Sequence, residues 1–191
     1  MVSVVSAGWQ AIEVKFVILG ESVVFLRILC ALFALGVLAA CSPEYNWREV
    51  NVSDTGVKAI FPDKPKVDEK RFIFNGETLV LSMTGTTVKN AIFAVGYAPL
   101  GKGFQNDPDG RKALYEAVVS SFYSNFNQSL PQPLPAMGEP FVVQGQGTTG
   151  DVQLSAKVWV TPNYLLEAIV VAPQSHFPES QANEFFAGVA F

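Results

Sequence analysis

The segment Tyr164-Leu165-Leu166-Glu167-Ala168-Ile169-Val170-Val171-Ala172 constrains the fold more than any other part of the chain. Successive side chains of a strand point to opposite faces, and this run is apolar on nearly both of them. Such a strand belongs at the centre of a sheet covered on both sides. Its neighbour, residues 151–161, places Val152, Leu154, Ala156, Val158 and Val160 on one face and joins it through Pro162-Asn163.

The remaining segments supply the rest of the sheet and its cover. Strands are expected over residues 47–52, 57–61, 70–74, 77–88 and 91–97. Asn75-Gly76 marks a tight hairpin, because both residues accept positive φ in a type I′ turn. Leu79, Leu81 and Met83 share one face of the strand that follows. Asp107-Pro108-Asp109 opens a helix, with Asp107 as N-cap and Pro108 at the first helical position. Leu114, Val118, Phe122 and Phe126 recur every four residues, widened by Tyr115 and Val119, which is the stripe of a helix lying on a core. A proline-rich linker over residues 130–135 leads to a strand at 140–144. A last helix over 178–187 offers Phe185 and Phe186 as cover. The expected class is α+β: one antiparallel sheet with helices packed on it, forming a single globular domain over residues 47–191. This order, with Phe61-Pro62 early and an aromatic helix at the end, resembles the PsbP-like fold of the photosystem II extrinsic proteins. That resemblance implies an α/β/α sandwich and mostly non-enzymatic, accessory roles.

A different logic governs the N-terminal part. Arg27 precedes the uncharged run Ile28-Leu29-Cys30-Ala31-Leu32-Phe33-Ala34-Leu35-Gly36-Val37, and Leu38-Ala39-Ala40-Cys41 ends it. A basic residue, a short apolar core and a small-residue exit are the parts of a secretory signal. Residues 28–40 are too few to span a bilayer, which takes about 20 apolar residues. Leu38-Ala39-Ala40-Cys41 resembles the lipobox of bacterial lipoprotein precursors. The resemblance implies a signal peptide over residues 23–40, cleaved before Cys41, and palmitate-type acyl chains on that cysteine. Two or three chains hold a protein on a membrane where one does so only marginally. Ser42 after the cysteine then favours the outer membrane over the inner one, with residues 41–46 as tether and the domain facing the periplasm. Residues 1–22 fit neither signal nor domain and read as a misassigned extension, with the true start near Val23 or Val24. The competing reading is an uncleaved anchor over residues 22–40. It leaves Cys41 unexplained and places Arg27 in the bilayer at a cost of about 2.5–3.5 kcal/mol.

Composition excludes several functions. The chain has two cysteines, Cys30 and Cys41. Processing would remove the first and lipidate the second, leaving no thiol for a disulfide, a zinc site or a nucleophile. Net charge is −4 with no basic run, which argues against a nucleic-acid partner. Gly145-Gln146-Gly147-Thr148-Thr149-Gly150 matches the dinucleotide-binding spacing, but the next segment alternates as a strand where a helix is required, so a glycine-rich hairpin is expected. Gln105, Asp107, Asp109, Gly110 and Glu116 fall at EF-hand offsets. The first offset requires Asp and holds Gln105, and a helix start explains the acids equally well, so Asp107, Asp109 and Glu116 are weak calcium candidates. His176, the single histidine, lies in a loop before Phe177-Pro178 without a neighbouring acid. Glu44, Glu49, Asp63 and Asp68 are scattered as on a solvated surface. No cofactor and no catalytic group are expected.

The expected function is therefore a membrane-anchored lipoprotein of the bacterial envelope with a binding or accessory domain and a protein partner there. The alternatives are a hydrolase using carboxylates or His176, and a carrier of a small apolar ligand. Mass spectrometry of membrane-extracted protein should find an acylated Cys41 at the N-terminus. An unmodified, uncleaved N-terminus would exclude the lipoprotein reading.

Overall fold

Double burial of the apolar run is met by placing it in the middle of a six-stranded antiparallel sheet. The computed structural model describes residues 44–191 apart from Thr55 and Thr149. The expected lipobox residues Leu38, Ala39, Ala40 and Cys41, and the signal and extension before them, lie outside the described residues. In chain order the elements are β1 (Arg48–Asn51), β2 (Lys58–Phe61), β3 (Lys66–Phe74), β4 (Glu77–Val88) and β5 (Ala91–Pro99). Helices α1 (Lys102–Gln105) and α2 (Pro108–Asn125) follow, then β6 (Phe141–Gly147), β7 (Gly150–Val160), β8 (Tyr164–Pro173) and α3 (Glu179–Ala187).

Two three-stranded meanders, β3-β4-β5 and β6-β7-β8, meet edge to edge where β5 pairs with β8. The order across the sheet is β3-β4-β5-β8-β7-β6. Local turn chemistry sets the register. Asn75 and Gly76 have φ of 48° and 81°, as the hairpin between β3 and β4 requires. Thr161 closes the β7–β8 turn, accepting hydrogen bonds on Oγ1 from the amides of Asn163 and Tyr164.

Each face of β8 has its own core. Leu165 and Ile169 face Leu114, Val119, Phe122, Phe141 and Leu154. Leu166, Ala168, Val170 and Ala172 face Phe61, Phe93, Phe185 and Phe186. On the first face α2 is capped by the Asp107 carboxylate, which accepts from the Gly110 amide at 2.8 Å. Phe122 and Tyr123 of this helix pack on Phe141 of β6, with ring centroids 5.8 and 6.0 Å away. Its side chain Tyr115 donates to the Pro135 carbonyl at 2.7 Å, which ties the proline-rich linker back onto the helix.

Four elements differ most from the sequence expectation. Strands β1 and β2 do not join the main sheet; they pair with each other as a separate two-stranded sheet. Burying Ala59 and Phe61 against Phe185 turns this hairpin into a lid on the second face. Strand β3 begins at Lys66, four residues before the expected start, because Lys66 to Glu69 pair with Gly85 to Ser82 of β4 despite their charge. A short helix, α1, falls where no element was expected; it buries Phe104 against the first core, and Arg111 donates to the Phe104 and Gln105 carbonyls at its end.

Phe185 is fully buried, with its ring centroid 5.6 Å from those of both Phe61 and Phe93. It therefore couples α3, the β1–β2 hairpin and the sheet. Phe185→Ala should cost about 3–5 kcal/mol by denaturant unfolding. A loss below about 1 kcal/mol would mean that the hairpin and α3 do not depend on each other.

Candidate functional site

A sheet of six strands is wider than one helix. Five inter-strand spacings of about 4.8 Å make about 24 Å, whereas a helix with side chains is about 10–12 Å across. Helix α2 lies towards β7 and β6 and leaves the β3–β4 side of its face uncovered. Beside the floor residues β5 presents Ala94, Gly96 and Ala98, which pair across to Ile169, Glu167 and Leu165. Side chains this short cannot fill the gap. The result is a cleft of about 560 Å³. One wall is Phe72, Phe74, Leu81 and Met83, the other is the α2 face bearing Leu114, Ala117, Val118 and Ser121, and Leu165, Glu167 and Ile169 form the floor.

Glu167 is the exception in this apolar lining. It is 7 % exposed and comes from the central strand. Its cross-strand neighbours are Gly96 and Val158, and Met83 is the next residue along the same row. A Cβ on Gly96 would sit 2.6 Å from Glu167 Oε1 and 2.9 Å from Met83 Sδ, so the glycine leaves the space that the carboxyl occupies. Among the described residues no donor hydrogen-bonds this carboxyl, and its oxygens open onto the cleft. Burial pushes the group up from 4.5 to about 7, while the Lys70 ammonium on β3 pulls the other way. Desolvation disfavours the charged form more than one exposed lysine can restore it.

The sequence-predicted residues lie elsewhere. Asp107 and Asp109 begin α2, and Glu116 is one turn from Lys112, 3.9 Å from its ammonium. Gln105 ends α1 and Gly110 lies within α2, so the segment is two helices and the junction between them. No group of three His, Cys, Asp or Glu side chains gathers among the described residues. His176 ends a single 3-10 turn, exposed, with Nδ1 2.8 Å from Ser175 Oγ. The glycine-rich segment is a hairpin, with Gly147 paired to Gly150. Glu44 pairs with Lys89, Glu49 with Lys58 and Asp63 with Arg48, all exposed. Among the described residues no helix is long and apolar enough to cross a membrane.

No protein-family model, characterised protein or solved structure matches this chain. The cleft and Glu167 were not among the sequence candidates. The signal for Glu167 was nonetheless present: it is the one charged residue in an otherwise apolar run.

The raised carboxyl has a consequence for stability. The folded chain binds the Glu167 proton more tightly than the unfolded chain does. The protonated carboxyl's contribution is thus complete below about pH 4.5 and is lost as pH rises through about 7. A shift of this size corresponds to about 3 kcal/mol. Glu167→Gln cannot ionise. Its stability relative to the native protein should therefore rise by about 3 kcal/mol between pH 4 and pH 8 in urea unfolding. A difference that stays constant with pH would show that the carboxyl is solvated in the folded state.

Proposed function

We propose that this chain is a lipid-anchored protein of the bacterial envelope whose PsbP-like domain is a non-catalytic binding module, and that the cleft beside α2 carries a small apolar ligand. The observation that carries the reading is the 560 Å³ apolar cleft with one buried polar group on its floor. Small-molecule sites are concave and mostly apolar, about 300–1,000 Å³ in volume, with few polar groups placed to orient the ligand. A flat aromatic patch would have favoured a protein partner instead. A hydrolase would pair Glu167 with a second acid or with His176, and the cleft lining includes neither.

The anchor would hold the domain close to the membrane. The Asn46 amide donates to the Pro62 carbonyl at 2.7 Å, and Tyr45 stacks on Trp47 at 6.2 Å, so the fold begins at Tyr45. Only Ser42, Pro43 and Glu44 separate it from Cys41, a reach of at most about 14 Å when extended. Tyr45 packs into the core on the face of the sheet opposite the cleft, so a lipidated Cys41 would hold the domain at the membrane without itself placing the cleft there. Ala117 is exposed and faces the cleft from α2. Full-length protein in lipid nanodiscs should bind 4-phenylbutanol in calorimetric titrations, with empty nanodiscs as the blank. Ala117→Trp should fill the cleft and weaken that binding about tenfold or more, with the thermal midpoint unchanged. Equal binding by the variant would remove the cleft as the site.

A further inference from the structure

We propose that the ligand of the cleft is an apolar monoamine, with its ammonium seated on the Glu167 carboxylate and its hydrocarbon body lying along Phe72, Met83, Val118 and Ile169. This rests on the reading of the cleft as a binding site. It goes further by naming the chemistry that the floor selects.

Three observations converge on a cationic head group. First, the floor offers a single carboxyl, 7 % exposed, with its oxygens facing the cleft and no donor among the described residues satisfying them. A buried carboxylate needs donors, and charge-assisted hydrogen bonds are the strongest available. Second, the residue opposite is Gly96, which has no side chain to take up the space that the Glu167 carboxyl and Met83 Sδ occupy. Third, the lining contains one other titratable group. The α2, β4, β5 and β7 walls contribute none, and Lys70 stands exposed on β3, beyond ion-pair distance of Glu167. The protein's own cation therefore does not occupy the position that an ion pair with Glu167 would take. A ligand carboxylate would meet a like charge on the floor. A ligand alcohol would offer one neutral hydrogen bond. An ammonium offers three donors, and Ser121 and Asn125 on the α2 wall supply acceptors near the same cleft. The upward shift of the carboxyl agrees with this geometry. On binding, the fraction of Glu167 that holds a proton releases it, and the ligand's charge replaces it.

The test uses three probes of one shape: 4-phenylbutylamine, 4-phenylbutanol and 4-phenylbutyrate. Each is titrated calorimetrically at about pH 8, where Glu167 is mostly ionised, into full-length protein in nanodiscs of uncharged lipid. The amine should bind about tenfold or more tightly than the alcohol, and the carboxylate most weakly. Glu167→Gln, checked for folding by its thermal midpoint, should bring the amine to the alcohol's level. If that variant fails to fold, Lys70→Ala decides. It removes a like charge from the rim and should tighten the amine about two- to threefold. Amine and alcohol binding equally, with both weakened by Ala117→Trp, would overturn the amine while leaving the cleft as the site. Carboxylate binding most tightly would overturn it in favour of Lys70 as the anchor. No binding of any probe would overturn both readings, and weaker amine binding in Lys70→Ala would overturn the amine alone.

Discussion

The whole architecture depends on β8 being buried on both faces. A strand with Leu165 and Ile169 on one side and Leu166, Ala168 and Val170 on the other cannot sit at an edge or face water. Two meanders therefore meet on it, and each face needs its own cover. The chain supplies the two covers from different places. The segment between the meanders crosses one face as α1 and α2. The two ends of the domain close the other, where Lys58 and Ala190 exchange backbone hydrogen bonds of 2.9 Å. The second cover is the more complete. A hairpin and a helix lie side by side there, tied together through Phe61 and Phe185.

The cleft follows from the first cover being a single helix. Where α2 reaches, Phe122 and Tyr123 close over Phe141. Beyond its reach, β5 offers Ala94, Gly96 and Ala98, and the walls do not meet. Larger residues on β5 would have filled this space and joined the β3–β4 wing to the core. The wing instead keeps Val67 at 66 % exposure, and Ile73, at 75 %, stands at the cleft's rim. Strands β5, β7 and β8 are thus packed on both faces, while the edge strand β3 stays largely exposed beside the cleft.

Where the sequence was legible, the determinants were local. Asn75-Gly76 and Asp107-Pro108 encode their turn and cap within four residues. The alternation at Leu79, Leu81 and Met83, and the unbroken run of β8, report burial directly. The first residues of β3 were missed because Lys66-Val67-Asp68-Glu69 has the composition of a solvated loop, and its order comes from β4 alone. The separation of β1 and β2 from the main sheet was missed because partner choice is tertiary. Neither strand's pattern distinguishes a sheet edge from a lid. The cleft was illegible for the same reason, since it depends on which side of β8 the helix leans towards. Glu167 was visible as a lone acid, but without Gly96 opposite and α2 displaced, nothing in the run assigns it a cavity.

An unpaired acid at this position works against the fold. A hydrophobic residue of similar size would bury without the desolvation that pushes this carboxyl to about 7. Buried acids with a structural role are held in networks, each oxygen taking hydrogen bonds from caps, amides or an arginine. Asp107 shows that pattern, with its carboxylate accepting from the Gly110 amide. Among the described residues no donor builds such a network around Glu167, and Gly96 beside it leaves the carboxyl its space. Polar groups that lower stability and face a cavity are characteristic of binding surfaces, where the compensating partner arrives with the ligand. The same open oxygens that find no donor among the described residues are the ones the donors of the proposed ligand would reach, so the stability cost and the proposed recognition would have one structural origin.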